Sequence, residues 1–209
     1  MSGVQRPDVL LVASDNPGKV AEIRGLLAAV PLQVISLADL PNPPRLSEPY
    51  DTFVGNAQHK AATAARASGY LTVADDSGLV VPALGGAPGI RSSRVADNDP
   101  DRIRWLLKEM RNLAGEQRAA YFVCVIALAN LHGQILGIWQ GRVDGIIISQ
   151  PQGKGGFGYD PVFLYPPTRQ TFAQMTAAQK NEVSHRGQAL RNFARDLPAI
   201  LNNITSSNE

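Results

Sequence analysis

Two adjacent carboxylates, Asp75 and Asp76, follow the short apolar run Leu71 to Ala74 and precede Ser77-Gly78. Neighbouring carboxylates shielded from water cannot both stay charged unless a cation sits between them or one is protonated, and a divalent metal serves the first case. Upstream, Ser14, Asn16 and Lys19 lie in the turn after an apolar run. Its backbone N–H groups fall near the positive end of a helix dipole, where Lys19 adds a full charge, a combination suited to an oligophosphate. The same residues also suit an ordinary strand-to-helix turn with a capping Asn or Asp. Asn56 and Lys60, four residues apart, share a helix face and can reach one ligand or simply form a wet face. Glu48 is an acid in a proline-rich loop, either a solvated charge or a metal ligand.

The second half adds groups of another kind. Gly153 to Pro161 sets four glycines around Phe157 and Tyr159, so a ring can lie against a planar ligand while the backbone comes close. Lys180, His185 and Arg186 gather at a helix entrance and suit an anion or a carbonyl edge. Lysines with a metal fit a polyphosphate, and an aromatic ring with hydrogen-bond donors fits a base. The ligand inferred from both sets is a nucleoside triphosphate.

These groups need a frame, and hydrophobic spacing supplies one. Val9 to Ala13 and Leu32 to Leu37 read as strands, and Val20, Ile23, Leu26, Leu27 and Val30 as one face of the helix between them. Four prolines in the nine positions Pro41 to Pro49 exclude regular structure there. A helix runs from Thr52 to about Ser68, and Leu71 to Ala74 is a short strand delivering Asp75 and Asp76 into a Ser-Gly turn. Pro82 to Arg94 reads as a tightly turned loop. Asp99 caps a helix with Pro100 in its first turn and with Ile103, Leu106, Leu107, Met110 and Leu113 as its stripe, Arg104 and Trp105 lying off it. Arg118 to Ala129 and Gln134 to Ile148 form a hairpin, its second strand wet on the face of Ile138, Gln140, Arg142 and Asp144. A capping box opens a short helix at Thr176, and a final helix packs through Leu190, Phe193, Leu197, Ile200, Leu201 and Ile204.

Composition sets the outer bounds. The 209 residues are 44% hydrophobic and 18% charged, enough to bury a sizeable core without staples. A formal net charge of +2 with scattered Lys and Arg leaves no nucleic-acid footprint. Cys124, inside an apolar run, reads as a buried structural thiol. No stretch is long enough to span a bilayer, no charged leader opens the chain, and the expected location is the cytoplasm. Thr205 to Glu209 reads as a disordered tail behind one domain over residues 1–204.

In series, Ser14-x-Asn16-x-x-Lys19, Thr52-Phe53-x-x-Asn56-Ala57-x-x-Lys60-Ala61, Ala74-Asp75-Asp76-Ser77-Gly78-Leu79, Gly85-Gly86-Ala87-Pro88-Gly89-Ile90, Gly156-Phe157-Gly158-Tyr159-Asp160-Pro161 and Ser184-His185-Arg186-Gly187 resemble the inosine triphosphate pyrophosphatase family, the Ham1-like pyrophosphatases. The resemblance spans nearly the whole chain. It implies an α/β fold of two lobes around a long mixed sheet with a central cleft, a homodimer, and Mg²⁺-dependent hydrolysis of ITP, dITP and XTP to the monophosphate and pyrophosphate. Carried over by position, Ser14, Asn16, Lys19 and Lys60 take the triphosphate, and Asn56 stands in the same substrate-binding motif. Asp76 is general base and metal ligand, Ser77 a substrate contact, and Phe157, Gly158, Tyr159 and Asp160 the base-binding loop. Lys180, His185 and Arg186 read the purine's oxo edge. Glu48 is the second metal ligand, with Asp51 as the alternative, and Asp75 either braces the turn or stands behind the ligands. A Maf-like pyrophosphatase for modified pyrimidine nucleotides and a non-catalytic nucleotide sensor remain as other readings.

Overall fold

The computed structural model describes residues 8–28 and 32–206. Elements follow the expected order, with two short strands, β6 and β7, where none was expected: β1 (Val9–Val12), α1 (Pro17–Leu26), β2 (Gln33–Ser36), α2 (Phe53–Ser68), β3 (Leu71–Val80), α3 (Asp99–Glu109), β4 (Ala119–Ala129), β5 (Ile135–Ile147), β6 (Phe163–Tyr165), β7 (Gln170–Thr171), α4 (Ala177–Val183) and α5 (His185–Ser206). The seven strands make one mixed sheet in the order β2-β1-β3-β4-β5-β6-β7. β1 lies parallel to both β2 and β3, whereas β5-β6 and β6-β7 are antiparallel. The expected α/β class with a long mixed sheet is therefore found. Among the described residues no helix is long and apolar enough to cross a membrane.

The chain divides into two compact units, one of Met1–Asp76, Val125–Trp139 and Ala189–Glu209, the other of Ser77–Cys124 and Gln140–Gln188. In the first unit α2 packs Ala57, Ala61, Ala64 and Ala65, all fully buried, against Leu11, Ala13, Leu37 and Ala74. Alanines permit the close helix-to-sheet approach, and Thr52 and Gly69 cap the helix at its two ends. The second unit buries Ile103, Leu106 and Met110 of the α3 region with Phe122, Phe163 and Phe172. Strand β5, between β4 and β6, alternates as expected, Gln140, Arg142 and Asp144 exposed and Trp139, Val143 and Ile147 buried.

Four local expectations change. β3 does not stop at Ala74 but runs ten residues to Val80, so Asp75 and Asp76 are strand residues and no Ser-Gly turn follows them. Asn98, not Asp99, caps α3, accepting from the Asp101 N–H; Asp99 is its first helical residue and Leu113 lies beyond its end. Trp105, expected off the stripe, packs partly buried against the core. α5 continues through Pro198 to Ser206, taking in the first two residues of the expected disordered tail, and residues 207–209 lie outside the described residues, as does Val30.

Candidate active site

Strand alternation explains how Asp75 and Asp76 part company. Consecutive strand residues point to opposite faces, and the two carboxylates have different partners. Asp75, 1% exposed, pairs with Lys19 Nζ at 3.0 Å. Asp76 pairs with Lys60 Nζ, also at 3.0 Å, and the same ammonium reaches Glu48 Oε1 at 2.7 Å. Lys60 comes from the middle of α2 and Glu48 from the proline-rich loop, so three elements of the first unit converge on one buried cation.

The electrostatics of this cluster are finely opposed. Burial pushes the Asp76 carboxyl up to about 6, and neighbouring Glu48 pushes the same way, while Lys60 and Lys19 pull down. For Lys60, burial works downward but Asp76, Asp75 and Glu48 outweigh it, holding the ammonium above its usual range. Asp76 Oδ2 is buried and, among the described residues, receives no hydrogen bond. A buried carboxylate oxygen in that condition fits a cation. Mg²⁺ characteristically takes one or two carboxylates and completes its shell with water and substrate phosphate. Glu48 and Asp76 match that donor set, and among the described residues no group of three or more His, Cys, Asp or Glu side chains gathers into a fuller cage.

The loop holding Glu48 is fastened to α2 from below. Asn56, fully buried, accepts from the Tyr50 N–H at 2.9 Å and donates to the Tyr50 carbonyl at 3.0 Å. These two bonds make Asn56 a brace for the loop. Ser47 Oγ meets His59 Nε2 at 3.2 Å, a second tie of the same loop to the same helix. Asp51, the alternative ligand, is exposed. In the β1-α1 turn, Asn16 caps α1 by accepting from the Lys19 N–H at 3.2 Å, and Ser14 Oγ accepts from the Asn16 N–H at 3.3 Å. The capping reading of Asn16 holds, and the Lys19 ammonium pairs with Asp75.

The second unit gathers the aromatic and cationic set. Asp160, 3% exposed, accepts from Lys180 Nζ at 2.7 Å and from the Phe157 N–H at 2.9 Å. Lys180 Nζ stands 4.6 Å from the Phe157 ring centroid and the Arg186 guanidinium carbon 5.6 Å from it. Arg186 Nη2 donates to Ser77 Oγ at 2.9 Å. His185 stacks on Phe122 with ring centroids 4.7 Å apart and planes within 9°. Gly156 has φ +70°, and a β-carbon there would run into the Asp160 carboxylate. Tyr159 departs from expectation: it is 3% exposed, its ring belongs to the core and its hydroxyl donates to the Ser92 carbonyl at 2.9 Å. Asp160 likewise acts by holding Phe157 and Lys180 in place.

Some partners carry no sequence signal. Asp99 Oδ2 accepts from the Gly158 N–H at 2.7 Å across 59 positions, and Phe122 lies under His185 from the middle of an apolar strand. An acid before a proline announces a helix start, and a strand phenylalanine announces core, so neither spacing marks the second role.

Comparison with known proteins joins this geometry to a group of enzymes. The model of the Ham1 family matches residues 10–196. A dITP/XTP pyrophosphatase of Thermosynechococcus vestitus is 49% identical over 181 residues, spanning 87% of this chain and 91% of the relative. One from Thermus thermophilus is 45% identical over 187 residues, spanning 87% and 88%. The structure of a Ham1 protein from Coxiella burnetii aligns with a TM-score of 0.82 at 38% identity, covering 91% of this chain and 98% of that one. The Ham1 protein of Staphylococcus aureus aligns at 0.80 with 35% identity and the same coverage.

Proposed function

The chain belongs to the Ham1 family, and on that premise we propose that it hydrolyses ITP, dITP and XTP to the nucleoside monophosphate and pyrophosphate, with Mg²⁺ as cofactor. The observation that carries the reading is Asp76: a buried carboxylate lifted to about 6, with one oxygen on Lys60 and the other receiving no hydrogen bond among the described residues. A base with a pKa near neutrality suits proton removal from water at ordinary pH.

Asp76 and Glu48 would hold the Mg²⁺, which supplies charge neutralisation at the triphosphate and makes water a better acid. Asp76 accepts the proton of the water that attacks the α-phosphorus. The new P–O bond forms there as the bond to pyrophosphate breaks. Lys19 and Lys60 offset the charge that pyrophosphate carries away. A unit charge pair at roughly 4 Å is worth about 1 kcal/mol in water and about 4 kcal/mol at an effective dielectric near 20, so the burial of Lys60 matters to its effect. Asp75 holds Lys19 in place.

The base falls to the second unit's set. Phe157 offers its ring, and Lys180, His185 and Arg186 offer donors to the 6-oxo and 2-position oxygens. Such donors discriminate by leaving buried partners unpaired when an amino group stands where an oxygen is expected. Family membership and this cationic set favour a deaminated purine over the Maf-like pyrimidine reading, and the Asp76 cluster favours an enzyme over a sensor. As the resemblance implies, residues 1–204 work as one domain in a cytoplasmic homodimer. A panel of dITP, XTP, dGTP, dTTP and UTP, with pyrophosphate and orthophosphate measured separately, tests the reading. Fastest release of pyrophosphate from dITP or XTP is expected, and faster turnover of dTTP or UTP sinks it.

A further inference from the structure

The three residues that present the aromatic ring are each anchored by a different acceptor. The Phe157 N–H is held by Asp160 and the Tyr159 hydroxyl by the Ser92 carbonyl. Between them, the Gly158 N–H donates to Asp99 Oδ2 at 2.7 Å. Asp99 is itself oriented: its Oδ1 accepts from Arg102 Nη1 at 2.6 Å, and Arg102 Nε donates to the Ala96 carbonyl at 3.0 Å. The carboxylate is thus fixed from the α3 side and spends its other oxygen on the loop.

Gly158 has φ +62°, a conformation that glycine visits freely but does not prefer over its alternatives. Two hydrogen bonds hold the 157–158 peptide in it: the Gly158 N–H to Asp99 at 2.7 Å and the Asp160 N–H to the Phe157 carbonyl at 3.3 Å, the first the shorter. Releasing the Gly158 N–H leaves the peptide only the longer bond, so it turns more freely and the Phe157 ring shifts against Lys180 Nζ and the Arg186 guanidinium. Asp160 cannot be tested for this effect cleanly, because it also binds Lys180. Asp99 instead bonds Arg102 and the loop backbone.

We propose that Asp99 is a positioning residue for purine selectivity, fixing the Phe157 ring through the backbone of Gly158. The proposal rests on the function proposed above and deepens it, since Asp99 bears on which base is accepted and not on phosphate cleavage.

The test compares the wild type with Asp99→Ala and Asp99→Asn in kcat and KM for ITP, XTP and GTP, in melting temperature, and in amide hydrogen exchange at Gly158 without ligand. For Asp99→Ala, faster Gly158 exchange and an ITP-over-GTP ratio of kcat/KM reduced about tenfold are expected, the loss appearing in KM. The kcat for saturating ITP should stay within about twofold of wild type. Asp99→Asn keeps an acceptor oxygen but loses the ion pair with Arg102, and should fall between the two. An unchanged ITP-over-GTP ratio in both variants overturns the proposal, as does an equal loss on all three substrates. Where Asp99→Ala does not fold, Asp99→Asn decides: faster exchange with unchanged selectivity overturns it. A wild type inert toward ITP and XTP overturns the functional reading as well, whereas a selective wild type beside an equally selective Asp99→Ala overturns this proposal alone.

Discussion

At the scale of single residues, the proposed chemistry rests on a carboxylate pulled in opposite directions. Burial favours the neutral acid in Asp76, and two lysines favour the anion, leaving it near 6. Asp76→Asn keeps the shape and the bond to Lys60 but removes the base. Turnover should fall by about 10²–10⁴-fold while ITP still binds in calorimetry; retained turnover would take Asp76 out of its role. The sign of the pH dependence follows from the same residue. Only the ionised carboxylate accepts a proton, so kcat/KM should fall as pH drops through about 6 in the free enzyme. A cation beside the carboxylate favours its charged form, so raising Mg²⁺ should move that limb to lower pH. Profiles at limiting and saturating Mg²⁺ check this, and a limb that ignores Mg²⁺ counts against the ligand assignment. The carboxylate pair was legible from its type and place in the motif; the separation of Asp76 from Asp75 was not, because it depends on how far β3 continues.

At the scale of elements, α2 does two jobs with residues four apart. Lys60 reaches the carboxylates, and Asn56 grips Tyr50 at both its N–H and its carbonyl, so the loop with Glu48 is set by the helix that carries its partner. Proline content makes that loop stiff, but stiffness alone does not aim Glu48. Asn56→Ala leaves the Tyr50 backbone groups without these partners. It should cost about 1–3 kcal/mol in denaturant unfolding and raise the Mg²⁺ concentration needed for half-maximal rate. Normal stability with a normal Mg²⁺ requirement would show that the grip on Tyr50 does not place Glu48. The helical spacing of Asn56 and Lys60 was readable in the sequence, whereas the partner each faces was not.

At the scale of the molecule, one seven-stranded sheet runs through the chain. The proposed function gives the polyphosphate to Lys19, Lys60 and the carboxylates, and the base to Phe157, Lys180, His185 and Arg186. β5 leaves Ile138 and Ile146 on its exposed face, at 37% and 38% exposure, beside Arg142 over the ring of Tyr121. The homodimer proposed from the family resemblance should appear as twice the protomer mass in light scattering across a dilution series. A stable monomer at assay concentrations would refute it.

The sequence by itself determined the order of the elements other than the short strands β6 and β7, the apolar faces of α2 and α5, the wet face of β5 and the residue types of both chemical sets. These are local properties, expressed in periods of two and 3.6 residues and in short motifs. Only the tertiary structure decided that Asp75 answers Lys19 while Asp76 answers Lys60, that Asn56 and Tyr159 spend their polar groups on backbone, and that Asp99 supports a loop 59 positions away. Each of those outcomes depends on which buried donor meets which acceptor after the chain has folded, and a hydrogen bond between distant positions leaves no period in the sequence to read.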